Sequence, residues 1–394
     1  MTSSAEASSE PAAGAPRSAL AALAVGNFVI GTGVLIVVGL LEVMARDLGT
    51  SIPVTGQLLT VGALTVGVTA PLLAVLLSRI DRHRLLVISL VGYAVGHIAC
   101  ALAPNYAVLM LLRVLTLAGA AIFTPQAAAA AGAMAPGAGR AAAVASVFIG
   151  WSIASVAGAP LGTWLGTLLG WRAAMVAVAL LSLIAAVLVH AKVPRNVSTP
   201  PLPLSTFGEV ARHATLPRIL LVTLVQATAL FVLFAYIAPL VRAALGSVEP
   251  VSLVLAAIGL AGVVGNAWAV KLLPRWGAPR TVTTAIVSMA IGAALLPLGQ
   301  GNTWIFCVLA AAWGLGSFAT NSSQQARLAT TAPALTPASV AMNTSAIYLG
   351  QAAGALLGGL LIADGLLVMV ATSVVLYLVA AAVSRWVGDH RGAR

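Results

Sequence analysis

Long apolar segments alternate with short polar gaps along the chain from residue 20 to residue 387. An α-helix needs about 20 predominantly apolar residues to cross the hydrocarbon core of a bilayer, and each segment is close to that length. The gaps are charged or rich in proline and glycine, which is typical of helix ends. The pattern predicts an all-α membrane protein with twelve transmembrane helices, at residues 20–44, 53–77, 85–103, 106–134, 141–168, 171–192, 216–245, 251–273, 281–298, 304–330, 339–363 and 366–386.

Composition supports this prediction, because 60% of the 394 residues are hydrophobic, 7% are charged and the mean hydropathy is +1.05. A soluble domain of this length could not hide so much apolar surface from water. Cys100 and Cys307 both fall inside predicted helices, which favours a packing role over a disulfide or a metal site.

Basic residues are concentrated on one side of the predicted helices. The net charge is +11, and 16 of the 20 lysines and arginines fall in gaps on one side, whereas the other side holds Arg46, Arg172 and Arg242. The positive-inside rule then places both termini and the loop 192–215 in the cytoplasm. These short basic loops favour topology over nucleic-acid binding as the meaning of the positive charge. We therefore expect a multi-pass membrane protein. Arginine outnumbers lysine 18 to 2 and alanine is abundant, which indicates a GC-rich bacterial genome and hence the bacterial inner membrane.

The longest polar stretch lies between the sixth and seventh predicted helices and divides the chain into two sets of six. We expect a disordered cytoplasmic tail at 1–17, an N-terminal six-helix half at 18–192, a cytoplasmic linker at 193–215, a C-terminal six-helix half at 216–388 and a short cytoplasmic tail at 389–394. Because six is even, both halves enter the membrane from the same side and form a parallel repeat. An offset of 196 residues relates Arg79 to Arg275, Gly158 to Gly354 and Gly162 to Gly358.

Three stretches carry candidate chemistry. Arg113, in the fourth predicted helix, is the one lysine or arginine well inside a predicted span, and Gly119-Ala120-Ala121 follows it. A charge at that depth costs about 2.5–3.5 kcal/mol on insertion scales, so a functional role outweighs a structural one. The fifth helix carries Gly158-Ala159-Pro160-Leu161-Gly162, in which the glycines allow close helix packing and the proline offers a bend. The loop after the second helix reads Leu77-Ser78-Arg79-Ile80-Asp81-Arg82-His83-Arg84, with an echo at Pro274-Arg275-Trp276-Gly277 before Arg280.

These stretches resemble the motifs of the major facilitator superfamily, and among its members the drug:proton antiporter-1 type. The loop resembles the signature G-x-L-A-D-R-x-G-R-R, with Ser78 in place of its Asp and Asp81 in place of its Gly. The fourth helix resembles R-x-x-x-G-x-G-x-A, with Leu117 at its first Gly, and the fifth resembles the antiporter motif, followed by Gly170-Trp171-Arg172. Length and motif set are most similar to bacterial sugar efflux transporters and chloramphenicol exporters, over nearly all of residues 18–388.

The resemblance implies two six-helix halves that rock about a central site, and efflux of a small molecule in exchange for protons. It implies no cofactor and a monomer in the lipid bilayer. In the loop signature, Arg79, Asp81 and Arg82 would form a latch that holds one conformation closed, and Arg275 and Gly277 would repeat it. The alternative for the loop is simple positive-inside anchoring. Gly158, Pro160 and Gly162 would form the flexing interface.

Proton coupling is the expectation that the sequence supports least. Related exporters carry T-x-E-F in the first helix, where this chain has Thr32-Gly33-Val34-Leu35. All nine acidic residues, Glu42 and Asp47 among them, fall in predicted tails, loops or helix ends, so we expect no buried carboxylate. His97, in the third helix, could exchange protons, although packing is the preferred role because that helix is peripheral in the fold. An uncoupled facilitator is the first alternative.

In this fold the first and fourth helices of each half line the cavity. Amides, aromatic rings and one cation there suit a neutral or weakly anionic solute, such as a sugar, a nucleoside or a phenicol-like drug. The alternative for the amides is helix–helix association, at about 0.6 kcal/mol each. The candidate substrate or coupling residues are Arg113, Asn27, Gln126, Trp151, Gln226, Tyr236, Asn321, Gln324 and His97.

Other classes of protein have less support. We find no metal-ligand cluster, nucleophile motif or phosphate-binding loop in the sequence, so an enzyme and direct ATP coupling are not expected. A non-transporting sensor on a transporter scaffold would have a large soluble appendage or a sealed, fully apolar cavity, and the sequence predicts neither.

Overall fold

The computed structural model describes residues 16–77, 80–135, 139–195, 197 and 203–389, and these residues are almost entirely helical. Arg79 and most of both predicted tails lie outside the described residues. A short linker helix, Leu204–Arg212, precedes the second half. The membrane helices are α1 (Arg17–Asp47), α2 (Ile52–Leu76), α3 (Arg82–Ala101), α4 (Tyr106–Met134), α5 (Arg140–Ile153, the π-helical turn Ala154–Gly158, and Ala159–Leu169), α6 (Trp171–Lys192), α7 (Leu216–Phe234 and Ile237–Leu245), α8 and α9 (together Val251–Leu295), α10 (Thr303–Thr331), α11 (Thr336–Leu361) and α12 (Leu366–Asp389).

Within the described residues, eleven helical stretches are long and apolar enough to cross a membrane, and one of them, Val251–Gly299, contains two crossings. Its 49 residues would form a straight helix of roughly 74 Å, more than twice the bilayer core of about 30 Å. Gly277 interrupts it with φ 73° and ψ 158°, a conformation that favours glycine. Gly265 before the break and Gly292 after it both pack on the same turns of α10, at Leu315 and Trp313. The chain therefore folds back at Gly277, and the prediction of twelve helices is confirmed.

Side chains and glycines at the helix ends explain why the helices begin and end where they do. Asn105 Oδ1 accepts a hydrogen bond from the Val108 amide at 3.0 Å and caps the start of α4. Asn302 Oδ1 caps α10 in the same way, from the amide of Ile305 at 3.1 Å. Gly170, with φ 87°, allows the sharp turn from α5 into α6. These local signals are why the observed bounds of α4 and α6 equal the predicted ones.

The two halves repeat the same internal packing. In the first half, Gly158 and Gly162 of α5 lie against Thr32 and Ile36 of α1. In the second half, Gly354 and Gly358 of α11 lie against Thr228 and Val232 of α7. Each member of a contact in the second half follows its counterpart in the first half by 196 residues. The offset seen in the sequence is therefore an offset between equivalent contacts.

The halves meet along pairs of helices. A Cβ built on Gly67 of α2 would lie 3.1 Å from Leu349 Cγ of α11, and one on Gly259 of α8 would lie 2.6 Å from the Ser155 carbonyl oxygen of α5. The Ser155 contact falls within the π-helical turn of α5, and Pro160 stands in the first turn of the α-helix that follows. A proline has no N–H to give to the preceding turn, and a wider turn is one way a helix accommodates it.

Candidate functional site

A narrow cavity lies between the halves near the middle of the bundle. Its volume of about 20 Å³ has room for roughly one water molecule, so the two halves are closed on each other in this conformation. Both halves contribute to its walls, which are mostly apolar. The lining residues are Val34, Leu35 and Val38 of α1, Leu58, Leu59, Gly62, Ala63 and Val66 of α2, Arg113 and Leu117 of α4, Phe231 of α7, and Tyr348 and Gln351 of α11.

Arg113 is the charged residue of this lining, and it is 1% exposed. Its Nη1 donates to the carbonyl oxygen of Gly33 on α1 at 3.3 Å. Its Nε is buried and has no hydrogen-bond partner among the described residues. A buried guanidinium with an unused donor has a strong tendency to bind an anionic or electron-rich group. Arg113 is therefore the best-placed of the predicted site residues to contact a solute.

His97 of α3 lies beside Gly33, the residue whose carbonyl oxygen accepts the Arg113 hydrogen bond. Its ring centroid is 4.3 Å from that of Tyr93, and its Nδ1 lies 2.9 Å from the Tyr93 carbonyl oxygen. Its Nε2 is buried without a hydrogen-bond partner among the described residues. A Cβ on Gly33 would lie 2.7 Å from that nitrogen, so glycine is what lets α3 approach α1 here. His97 is packed within the first half and does not line the cavity.

The other predicted residues of the first half have partners within that half. Asn27 donates from Nδ2 to the Val147 carbonyl oxygen at 3.0 Å, and its Oδ1 accepts from Thr124 Oγ1 at 2.7 Å. The Gln126 amide oxygen accepts from Nη1 of Arg82. Trp151 packs on α1 at Gly31, and the structure does not bring it, Asn27 or Gln126 to the cavity wall.

In the second half, one of the predicted amides, Gln324, joins a polar network between α7, α10 and α11. Gln324 donates to the Ile219 carbonyl oxygen and to Thr223 Oγ1, each at 3.0 Å. Thr223 in turn donates to Asn343 Oδ1 at 2.7 Å. Gln226 contacts Met289 Sδ at 3.6 Å, and Asn321 accepts from Gln325 at 3.1 Å. These amides are beside the cavity helices but are not part of the cavity lining.

Tyr236 lies at the interruption of α7, between Phe234 and Ile237. Its hydroxyl donates to the Ala355 carbonyl oxygen of α11 at 3.0 Å, and its ring reaches Gly56 of α2 and Gly359 of α11. Tyr236 is fully buried and joins both halves at one end of the bundle. Its place is at the end of the cavity rather than in its wall.

The loop motif lies partly within the described residues. Asp81 Oδ1 accepts from the Arg84 amide at 3.1 Å and caps α3, and Arg82 reaches into the bundle toward Gln126 of α4. In the repeat of the motif, Arg275 is exposed and Gly277 forms the turn between α8 and α9. The Asp81 side chain is hydrogen-bonded within its own half.

The sequence singles out Arg113 as the one cation well inside a predicted span, but Arg113 is not the only buried cation of the described helices. Arg327 of α10 is 1% exposed and donates to Ser384 Oγ and to the Ser384 carbonyl oxygen of α12, each at 3.0 Å. The helix α10 continues to Thr331 and α12 to Asp389, so Arg327 lies between two helices rather than at a loop. Because Arg327 is near the end of its predicted helix, the sequence pattern did not indicate that its side chain is buried.

The expectation that no carboxylate is buried is wrong. The Glu42 side chain is 8% exposed, and its Oε2 lies 2.6 Å from Nε of Arg242, whose side chain is 50% exposed. Helix α1 continues to Asp47, and the second segment of α7, Ile237–Leu245, packs over it. The ion pair joins α1 of the first half to α7 of the second. Val34, Val38 and Glu42 are spaced four residues apart, so they lie on one face of α1. This spacing was the feature of the sequence from which the burial of Glu42 could have been predicted.

A second ion pair at the same end lies within the first half. Arg172 of α6 pairs with Asp47 of α1, and Trp171 Nε1 donates to Asp47 Oδ2 at 2.8 Å. Both charged side chains of this pair are more than 40% exposed, at 42% and 45%. This pair fastens α6 to α1 and does not cross between the two halves.

Two six-helix halves, related by an internal repeat and packed around a central cavity with a buried charge, are the architecture of a membrane transporter. The sequence profile of the Major Facilitator Superfamily matches residues 23–246. The inner membrane transport protein YdhP of Escherichia coli K12 is 32% identical over 348 residues, covering 88% of this chain and 89% of that protein. A chloramphenicol efflux pump of Mycobacterium tuberculosis H37Rv is 31% identical over 364 residues, covering 90% and 88%. The chain belongs to the Major Facilitator Superfamily.

Solved structures agree on the fold. The nucleoside transporter NupG, solved as a single-residue mutant, superposes with a TM-score of 0.75 at 13% identity and covers 93% of this chain and 99% of that one. A bacterial homologue of the human lysosomal transporter Spinster, inward-facing and unoccupied, superposes with a TM-score of 0.66 at 19% identity, covering 94% and 96%. At these identities the likeness concerns the fold alone.

Proposed function

We propose that this protein is an efflux transporter of the bacterial inner membrane that exports a small polar or amphipathic solute in exchange for protons. The observation that carries the proposal is the buried Arg113 guanidinium, which has an unused Nε donor in the wall of a cavity that both halves build. A phenicol-like drug or a sugar offers nitro, carbonyl or hydroxyl oxygens to such a donor. The chloramphenicol pump among the relatives supports this class of substrate.

Transport requires the halves to separate, because a cavity of about 20 Å³ cannot hold such a solute. We propose that the end of the bundle with the linker helix faces the cytoplasm, as the distribution of basic residues favours. The solute would then enter from the linker end and leave past Glu42 and Arg242. Impermeant maleimide labelling of intact cells tests this orientation. Cysteine at the exposed Glu249 position should react from outside, and cysteine at the exposed Ser205 position should react after the cells are permeabilised.

The activity is tested with purified protein in liposomes, using chloramphenicol, sugars and nucleosides in turn as radiolabelled solutes. Arg113→Met should reduce transport of the accepted solute strongly, whereas Arg113→Lys, which keeps the charge but has fewer donors, should retain part of it. Leu115→Ala is a matched control, because Leu115 is on the same helix and is 63% exposed on its surface. Full transport by Arg113→Met would remove Arg113 from the site.

An uncoupled facilitator of the same fold is the second candidate. Val34, in the wall of the cavity, stands where related exporters carry a carboxylate, and this observation favours a carrier without proton exchange. The internal pH of the liposomes distinguishes the two candidates. A pH change that depends on the solute supports exchange, and solute flux without a pH change supports the facilitator. The absence of flux for every solute would favour a non-transporting sensor on the same scaffold.

A further inference from the structure

We infer that Glu42 is the proton-binding residue of the exchange and that Arg242 is the group that displaces the proton when the halves close. The inference rests on the proposed function, since it supplies the carboxylate that proton exchange requires. It places that carboxylate at the end of the cavity opposite the linker, rather than at the position of Val34.

The immediate geometry of Glu42 suits reversible protonation. Oε2 is held by Arg242 Nε at 2.6 Å, while Oε1 is buried and has no hydrogen-bond partner among the described residues. A buried carboxylate is costly when its partner is removed, because its charge is then unpaired in a medium of low polarity. Taking up a proton relieves that cost. The pair therefore has two acceptable states, charged and paired or neutral and separated.

The position of Glu42 links it to the cavity. Val34 and Val38 of α1 line the cavity, and Glu42 is the next residue on the same face, about 6 Å farther along the helix axis. Arg242 approaches from the other side, where half of its side chain is exposed. Glu42 thus lies between the cavity and the surface at this end, where separation of the halves on one side or the other would expose it to each side in turn.

The surrounding charges leave Arg242 as the partner of Glu42. From α6, Arg172 is engaged with Asp47, and Arg46 of α1 is exposed. From α4, the Tyr106 hydroxyl donates to the Val54 carbonyl oxygen of α2. From α7, the hydroxyl of the buried Tyr236 is bonded to α11. Ahead of α8, Glu249 is exposed.

The neighbouring ends of two other helices carry no ionisable side chain. These are the end of α2, from Ile52 to Gly62, and the adjoining end of α5, from Ala159 to Leu169.

The proton cycle follows from this arrangement. When the Glu42 end opens, α1 and α7 move apart, the carboxylate loses Arg242 and meets the water on that side, which is the more acidic side when a gradient drives export. It takes a proton from that water, forming one O–H bond, and the neutral acid is then the form that no longer needs Arg242. When this end closes, the Arg242 guanidinium returns and stabilises the charged carboxylate, so the O–H bond breaks. The proton leaves through the cavity toward the linker end. One proton moves inward for each closure, opposite to the exported solute.

Two readouts test the inference with the full-length protein in liposomes. The first is radiolabelled chloramphenicol, measured as exchange without a pH gradient and as accumulation driven by a gradient. A gradient of one pH unit supports up to roughly tenfold accumulation for one-to-one exchange. We expect Glu42→Gln to exchange chloramphenicol like wild type but to accumulate none, and Asp47→Asn, at the same end, to do both. Gradient-driven accumulation by Glu42→Gln would overturn the inference.

The second readout does not depend on the solute. Spin labels on cysteines at Thr50 of the first half and Ser247 of the second report the separation of the halves at the Glu42 end. We expect the distance distribution to shift to longer values in acid for wild type and for Asp47→Asn, and to be insensitive to pH in Glu42→Gln. If wild type shows this shift but moves no chloramphenicol, the inference is supported and the proposed substrate is wrong. If wild type shows no shift, the inference is overturned whatever is transported.

Discussion

The repeated glycines of α5 and α11 allow a stability prediction in which one half of the protein is the control for the other. Gly162 and Gly358 occupy equivalent positions, 196 residues apart, against Ile36 and Val232. A Cβ on Gly162 would lie 2.5 Å from Ile36 Cδ1, the flexible end of a side chain. A Cβ on Gly358 would also lie 2.5 Å from its nearest atom, but that atom is the Val232 carbonyl oxygen of the backbone.

The two alanine variants should therefore differ in stability although their closest contacts have the same length. In Gly162→Ala, Ile36 can rotate away, at a cost of about 0.5–1.5 kcal/mol for a strained rotamer. In Gly358→Ala, α7 and α11 have to separate, and overpacking of this kind costs about 1–3 kcal/mol or more. Shortening Ile36 to valine in the Gly162→Ala background removes Cδ1, the nearest atom, but keeps Cγ1, which would lie 2.8 Å from the new Cβ, so it should restore part of the loss.

Thermal unfolding in detergent at one fixed scan rate measures the effect. Each kcal/mol corresponds to a shift in Tm of about 2–4 °C for proteins of 150–250 residues, so Gly358→Ala should unfold several degrees below Gly162→Ala. Gly119→Ala is the matched control, because its Cβ would lie at an ordinary 3.6 Å from the Ser89 carbonyl oxygen. Equal Tm values for the Gly162 and Gly358 variants, or no rescue by Ile36→Val, would refute the reasoning.

Further predictions concern the buried polar groups. Asn27→Ala should lower the free energy of unfolding by about 1–3 kcal/mol, because it leaves the buried partners of Asn27 unpaired. The KM for the transported solute should change little, and a large change in KM would show that Asn27 contacts the substrate instead. Arg327→Lys should also unfold at a lower temperature, since one ammonium cannot reproduce the forked bonds to Ser384, and a wild-type Tm would contradict this. Arg172→Gln should cost less than about 1 kcal/mol, because its pair with Asp47 is exposed, and this small loss should shrink further in high salt.

The helices follow from the sequence because their determinants are local. Apolar segments of membrane-spanning length, capping by Asn105 and Asn302, and the turn at Gly170 act within a few residues, so the predicted bounds of α4 and α6 agree with the structure. The predicted gap between α8 and α9 includes Gly277, because the signals for a helix end are local. In the structure the helical backbone runs up to Gly277 on both sides. The offset of 196 residues also came from the sequence, since a duplicated half keeps its glycines at equivalent positions.

The sequence by itself also singled out Arg113 as a candidate, because a charge in the middle of an apolar segment is costly wherever the helix packs. Only the tertiary structure decided the partners of the other polar residues. Asn27 and Gln324 could equally have faced the cavity or a neighbouring helix, and the choice depends on residues about a hundred positions away, such as Val147 and Ile219. Glu42 has the sequence appearance of a solvated helix end, yet α7 covers it and supplies Arg242. Burial and charge pairing are properties of helices brought together, and a linear pattern does not contain them.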